Sequence, residues 1–425
     1  MKIIQTFWSR PGMSGMPMNN KAGWLSAEYH WMSWALSCLQ AKKFYHEVEL
    51  VTDQLGKEIL IDRLQLPYTK VTTSLDTAMQ DYPAELWSLA KIFAYGNQHE
   101  PFIHIDGDVY LWQAFTPEFM SAPLVAQNVE VNIPYYRNIL TAINNRFAYL
   151  PSVYNLPDEV HASNTGIFGG HDLAFIKEYC RQAFEFVDKN KEQLQQLRPE
   201  KRPLLNFIFE QYLLFYLAAE QGRSITYFWQ EEITDPLYSE FARFIDIPAV
   251  PLIHPVGAYK QRLFTCTHVG NRLRKDYPGY YYRIIEECKN EVQLVNKYYY
   301  SPGDTALLNK MVDQFARTAN LFEYATAEEL RASKVCTNED VKLTADKASW
   351  LEPEQLAMQE VMMDQLEMLI VSLTASPVTI SFIIEEMRCY FDADEIRQNE
   401  SKYEQLIIDT IKHLLYLRIL VLCAS

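Results

Sequence analysis

The segment Pro101-Phe-Ile-His-Ile-Asp-Gly-Asp-Val-Tyr110 ends an apolar run in two carboxylates, Asp106 and Asp108. A short apolar run bounded by turn residues predicts a buried strand. In extended backbone, residues i and i+2 face the same side, so both carboxylates can face one cation. Gly107 removes the side chain between them and predicts close approach of a ligand to the backbone. Hard oxygen ligands suit Mg²⁺ or Mn²⁺, ions that share their shell with substrate phosphates. The expectation is a strand end that holds a metal–diphosphate. The competing reading is a polar turn after a buried strand, because Asp-Gly is a common turn dipeptide.

The surrounding pattern favours the first reading. Lys2–Trp8 reads as a strand, followed by a loop over 10–20 and a helix over 24–42. Val48–Thr52 is a short strand ending at Asp53; a helix over 54–64, a strand near 68–73 and a helix over 84–97 then lead into the run that carries Asp106. Short strands alternating with helices predict an α/β domain with a largely parallel sheet. Ligands of such sheets bind beyond the carboxyl ends of the strands. The loop after Trp8, Asp53 and the Asp106/Asp108 pair all fall there. Farther on, Pro123–Ala126 is strand-like, Asn164-Thr-Gly166 leads into a strand, and 203–220 is an apolar helix containing Glu210-Gln211. Two strand-like pieces end in histidines, Val250–His254 and Leu263–His268, and a Tyr-rich segment, 277–300, closes the region.

From about residue 300 the chain becomes helical and acidic, with 11 Lys/Arg against 21 Asp/Glu, a net of −10 within the total of −15. An amphipathic helix is expected over 354–373 (Leu356, Val361, Met362, Leu366, Leu369, Ile370), then a helix capped by Thr379, a helix over 402–416 and a β-like run over 418–422. The expected domains are 1–300, a linker or helical segment over 301–350, and a helical, winged-helix-like domain over 351–425.

The acidic balance excludes a non-specific nucleic-acid binder, which needs clustered positive charge. No apolar stretch reaches the ~18–20 residues that span a bilayer, and the N-terminus shows no signal-peptide pattern. The seven cysteines are scattered, without CxxC spacing. They read as reduced thiols in a cytoplasmic protein.

With Asp106-Gly-Asp108, the helix bearing Trp87 and Lys91, and Asn164-Thr-Gly166, residues 1–285 resemble nucleotide-sugar-dependent glycosyltransferases of the GT-A fold, whose metal motif is D-x-D. Glu210-Gln211 sits where related enzymes carry an acidic residue followed by Gln. His254-Pro-Val-Gly257-Ala-Tyr-Lys260 has the His-x-x-Gly-x-x-Lys spacing of the glycogenin-like group. The resemblance implies a Rossmann-like domain with a mixed, mainly parallel sheet and a divalent cation, Mn²⁺ or Mg²⁺, on Asp106 and Asp108. A histidine would complete its shell; His254 has the family spacing, while His268 follows a more strand-like run and precedes Gly270, so both stand.

The resemblance further implies a nucleotide-sugar donor. Trp8, Arg10 and Asp53 would meet its base or ribose; Lys91, Lys260 or the run Arg272–Lys275 its diphosphate; Asn164 and Gly166 its sugar or the acceptor. Glu210 would orient the sugar or act as a base, with Gln211 beside it. The acceptor stays open among glycan, lipid and peptide. Residues 350–423 resemble the winged-helix peptide-recognition domains of enzymes that modify ribosomally made peptides, which implies a docked peptide; an accessory bundle is the alternative. The leading expectation is a metal-dependent glycosyltransferase. A hydrolase or nucleotidyltransferase using the same aspartates, and a catalytically silent binding protein that recruits a partner through its C-terminal module, are the competing ones.

Overall fold

The computed structural model describes residues 1–423 except 14, 145, 235–237, 296–304, 345 and 353–356. The chain divides into two compact units, Met1–Phe244 with Ala249–Gln293, and Ile245–Pro248 with Leu294–Ser425.

The first unit is built on seven strands: β1 (Lys2–Phe7), β2 (Val48–Thr52), β3 (Lys70–Thr72), β4 (Phe102–Ile105), β6 (Val125–Ala126), β9 (Ile167–Gly170) and β10 (Thr226–Tyr227). Between them lie β5 (Tyr110–Leu111), β7 (Val129–Val131) and β8 (His161–Ser163), and β11 (Leu252–Ile253) follows. The sheet order is β10-β6-β9-β4-β1-β2-β3. Strand β9 runs antiparallel to β4 and β6, and the other four ladders are parallel. This is the mixed, mainly parallel α/β sheet expected from the alternation of elements.

Such a sheet must be covered on both faces, and β4 shows how. Its Phe102 enters a core layer with Tyr95, Phe168 and Tyr179, while Ile103 and Ile105 enter another with Ile3, Val48 and Val109. The helix Ala27–Phe44 is buried at every position from Ala27 to Ala41. The chain proceeds from β1 through β2 to β3 on one side and returns to place β4 on the other. The carboxyl ends of β1 and β4 therefore flank a topological switch point, where α/β sheets bind ligands.

One expectation for this unit is corrected here. Leu263–Asp276 is a helix, not a strand ending at His268. Cys266, Val269 and Leu273, spaced three and four apart, are each fully buried, so the helical period overrides the β-branched and aromatic residues at its start. Part of the Tyr-rich segment is the helix Pro278–Lys289, and 296–300 lie outside the described residues.

In the second unit, β12 (Lys334–Thr337) pairs antiparallel with β16 (Val378–Thr379) and β17 (Leu420–Leu422). Strands β13 (Lys342–Leu343), β14 (Lys347–Glu352) and β15 (Ala357–Met362) form a meander. The helices Gln365–Leu373, Ile380–Met387 and Glu400–Tyr416 pack Ile370, Ile383, Ile407, Ile411 and Leu414 into its core. Thr379 caps its helix as expected, its hydroxyl accepting from the Phe382 amide at 3.1 Å.

The helix expected over 354–373 is a strand followed by a shorter helix. Asp364 and Glu367 form a reciprocal capping box that fixes the helix start at Asp364. The preceding residues alternate instead, with Val361 and Gln359 paired to Ala348 and Trp350 of β14. Leu356 lies outside the described residues. Among the described residues, no helix is long and apolar enough to cross a membrane.

Candidate metal and diphosphate site

Asp106-Gly107-Asp108 forms a tight turn between β4 and β5, closed by the Val109 amide on the Asp106 carbonyl at 3.1 Å. The helix Ala27–Phe44 holds that turn from behind. Ser33 donates to the Gly107 carbonyl at 3.1 Å and Ser37 to the Val109 carbonyl at 2.7 Å. A Cβ on Gly107 would collide with the Trp34 indole. The glycine thus serves packing against Trp34, where the sequence had suggested room for a ligand.

The register of β5 on β11, Tyr110 opposite Ile253, delivers His254 to the turn. Asp106, Asp108 and His254 each offer one ligand atom within 4.8 Å of the others. His254 Nε2 lies 3.3 Å from Asp108 Oδ1, and its Nδ1 faces the Gln127 carboxamide oxygen at 2.7 Å. That amide is oriented by its own nitrogen, which donates to Asn128 Oδ1 at 3.2 Å. A carbonyl-type oxygen takes the Nδ1 proton, so Nε2 is the nitrogen free to coordinate. Two carboxylates and an imidazole converging in this way fit a divalent cation whose remaining positions go to water or phosphate.

Two lysines neutralise the carboxylates from either side. Lys91, on the helix Ser88–Gly96, lies 2.9 Å from Asp106 Oδ1 and 2.7 Å from Glu210 Oε1. Burial works against its ammonium, but Asp106 and Glu210 outweigh burial and push its pKa up. Lys260 pairs directly with Asp108. It sits on the single helical turn Gly257–Gln261, where Gly257 takes a φ of +52° that favours glycine. Burial would raise the Asp108 pKa; the Lys260 ammonium and the His254 imidazole overcome it and hold the carboxyl well below its usual range. Glu210 shifts the other way, raised first by burial and further by Asp106, with Lys91 opposing.

Glu210 and Gln211 lie in a wide helical turn, Phe207–Tyr212, of the π type often found at functional sites. Glu210 also accepts from the Thr165 hydroxyl at 2.8 Å, and Gln211 meets the Tyr136 hydroxyl. Asn164 accepts from the Gly166 amide at 2.9 Å and donates to Glu130 at 3.0 Å and the Tyr238 hydroxyl at 3.1 Å. Gly166 has no room for a Cβ, which would strike the Gln127 amide oxygen and the His254 ring.

The remaining expected residues lie elsewhere. His268 is on the helix Leu263–Asp276, its ring 4.3 Å from that of Phe264, and does not join the aspartates. Trp8 is buried in a core layer. Asp53 accepts from the Ser9 amide and hydroxyl and from the Gly56 amide, so it caps a helix and ties down the loop after β1. Arg10 is exposed, donates to the carbonyls of Gln80 and Tyr82, and lines a cavity of about 300 Å³ to which the metal cluster contributes nothing. Sequence reasoning missed Gln127, Glu130, Tyr136 and Tyr238. The polar stretch Gln127-Asn128-Val-Glu130 after an apolar strand was the available signal.

Residues 1–287 match the profile of DUF6734, a family of unknown function. The chain belongs to that family. No curated protein sequence matches it. Among solved structures, this DUF6734 member is similar to the PaToxG glycosyltransferase at 13% identity and a TM-score of 0.29, over 52% of this chain and 69% of that one. It is similar to the galactosyltransferase LgtC, solved with donor and acceptor sugar analogs, at 12% identity and 0.27, over 49% and 70%. The glycosyltransferase GlyE of Streptococcus pneumoniae TIGR4 matches at 9% identity and 0.30, over 69% and 65%. At such scores these likenesses carry no weight for activity; the functional reading rests on the side-chain geometry above.

Proposed function

We propose that this DUF6734 member is a metal-dependent glycosyltransferase that takes a sugar from a nucleotide-sugar donor of the GT-A type. The observation that carries the reading is the convergence of Asp106, Asp108 and His254 at the carboxyl edge of β4, with Lys260 and Lys91 beside them. Asp106, Asp108 and His254 Nε2 would hold Mn²⁺ or Mg²⁺. When bound, the ion supplies positive charge that stabilises the departing nucleoside diphosphate.

The chain's own residues do the rest. Lys260, released from Asp108, is placed to meet a phosphate oxygen. Lys91 bridges Asp106 and Glu210 and so holds Asp106 in its ligating orientation. Glu210 is the carboxylate for sugar hydroxyls or for the acceptor proton, with Gln211 next to it. In the transfer, the bond from the sugar's anomeric carbon to the diphosphate oxygen breaks, and a bond to an acceptor oxygen forms. The seven free cysteines suit a reducing, cytoplasmic setting.

The Lys260–Asp108 pair favours a second reading, in which the site binds a sugar nucleotide without catalysing transfer, because the chain's own cations already neutralise it. For the second unit we propose a winged-helix-like module that docks a peptide. Leu351, Met358 and Met362 are exposed on the outward face of β14 and β15, and β15 is an edge strand, the kind that peptides extend.

A thermal-shift and turnover screen of UDP- and GDP-sugars with and without Mn²⁺ separates these readings. A Mn²⁺-dependent shift with transfer to an acceptor supports the enzyme, and binding without transfer supports the second reading. Phosphate release without transfer points to a hydrolase. If Asp106→Ala/Asp108→Ala shifts as much as wild type, the metal site is wrong.

A further inference from the structure

Glu130, at the middle of β7, is 1% exposed and receives four donors. Its Oε1 accepts from Asn164 Nδ2 at 3.0 Å and from the Tyr238 hydroxyl; its Oε2 accepts from the Tyr135 hydroxyl at 3.0 Å and from the Tyr136 hydroxyl. Every neighbour donates and none accepts, which is the pattern an acceptor-only carboxylate satisfies. Asp106, Asp108 and Glu210 each sit against a lysine, whereas no cation among the described residues pairs with Glu130. A carboxylate buried among neutral donors costs stability that a glutamine or an apolar residue would not.

The partners explain what that cost secures. Asn164, gripped by Glu130, uses its own Oδ1 to hold the Gly166 amide at 2.9 Å. The Gly166 carbonyl in turn accepts from the Asp106 amide at 2.9 Å, and a Cβ on Gly166 would strike the His254 ring. A second arm runs through the Tyr136 hydroxyl to Gln211, whose neighbour Glu210 holds Lys91 on Asp106. The Tyr136 hydroxyl lies between Glu130 Oε2 and Gln211 Oε1, so its single proton links the carboxylate to the amide. Tyr238 reaches Glu130 from a backbone φ of 55°, a left-handed conformation that a tyrosine adopts only against strain.

We propose that Glu130 is a positioning residue: its buried carboxylate clamps Asn164 and Tyr136 so that Gly166 and Gln211 are fixed against His254 and Asp106 in the geometry that binds metal and diphosphate. This rests on the metal–diphosphate reading of Asp106, Asp108 and His254. Glu130 touches neither ion nor donor; it acts through its two arms. Tyr135 donates to the same carboxylate and belongs to neither arm.

The test is calorimetry of Mn²⁺ with UDP and, in parallel, with GDP, together with the melting temperature of each variant. Glu130→Gln offers a single acceptor oxygen and brings an NH₂ against hydroxyl donors, so one arm must let go. It should bind the Mn²⁺–nucleotide at least tenfold more weakly than wild type. Asn164→Ala, which cuts the Asn164–Gly166 arm outright, should show a similar loss. Tyr135→Phe should lower the melting temperature and keep binding within twofold. If Glu130→Gln does not fold, Asn164→Ala against Tyr135→Phe decides. Loss in the first alone is the expected result, and equal binding in both overturns the proposal. A wild type that binds neither Mn²⁺–nucleotide overturns the metal–diphosphate reading and this one with it. A wild type that binds, with Glu130→Gln binding equally well, overturns only the role of Glu130.

Discussion

The two units handle charge in opposite ways. In the first, Asp53, Asp108, Glu130, Glu210 and His254 are all buried, and the site is a lattice of carboxylates interleaved with lysines. In the second, only Thr318 and Thr374 are buried polar residues among those described, and ion pairs such as Arg331–Glu404 and Arg397–Asp394 stay at the surface. Surface pairs contribute little to stability. Buried pairs are expensive to assemble, and breaking one leaves an uncompensated charge. A fold that accepts that penalty in one unit and avoids it in the other has concentrated its chemistry in the first.

Substitutions can break or sharpen this contrast. The largest stability effect should come from Lys91→Met, which strands Asp106 and Glu210 together. A loss of up to about 3–5 kcal/mol is expected in denaturant unfolding. A loss below about 1 kcal/mol would mean that the cluster is solvated and the contrast overstated. Asp106→Ala/Asp108→Ala should weaken Mn²⁺-dependent nucleotide binding by at least a hundredfold, about 2.7 kcal/mol, read by calorimetry. Gly107→Ala should cost about 1–3 kcal/mol, because the new methyl must displace Trp34.

A pH series probes the same buried electrostatics. Burial, with the Lys260 charge adding, drives the His30 pKa down to about 3. The unfolded chain takes up that proton near its ordinary pKa of about 6.5. The stability from neutral His30 is therefore complete above about 6.5 and falls as pH drops toward 3. The slope is roughly 1.4 kcal/mol per pH unit for one proton. His30→Phe should flatten the dependence of melting temperature on pH between 6.5 and 4, and an unchanged slope would count against the burial argument. The smallest effect belongs to the second unit, where Arg331→Ala should change stability by only about 0.2–1 kcal/mol despite its 2.6 Å contact with Glu404.

What was legible in the sequence follows the range of the interactions. β1, β2 and β4 are apolar runs closed by polar residues, so the parallel sheet and the place of Asp106 could be read locally. His254 and His268 could not be separated locally, because the strand pairing that lifts one of them to the turn links segments about 140 residues apart. His268 looked like a strand end because Leu263–His268 is rich in aromatic and β-branched residues, and only the burial of Val269 and Leu273 exposes its helical period. β15 was hidden because its Val361 and Met362 also suit an amphipathic helix, and the capping box three residues on decides where that helix begins. Glu130 was silent for a related reason. A glutamate between two valines reads as one solvent-facing strand position, and its role resides in Tyr136, Asn164 and Tyr238, up to 108 residues away.

The indole lodged against Gly107 has one more consequence. Tryptophan emission responds to the polarity and charge around the ring, and Trp34 is 7% exposed and stacked on the backbone that joins the two aspartates. The turn therefore carries its own optical probe. In a variant whose other tryptophans are phenylalanine, loading the aspartates with an ion would register as a change in colour or yield of that single residue, with no label attached.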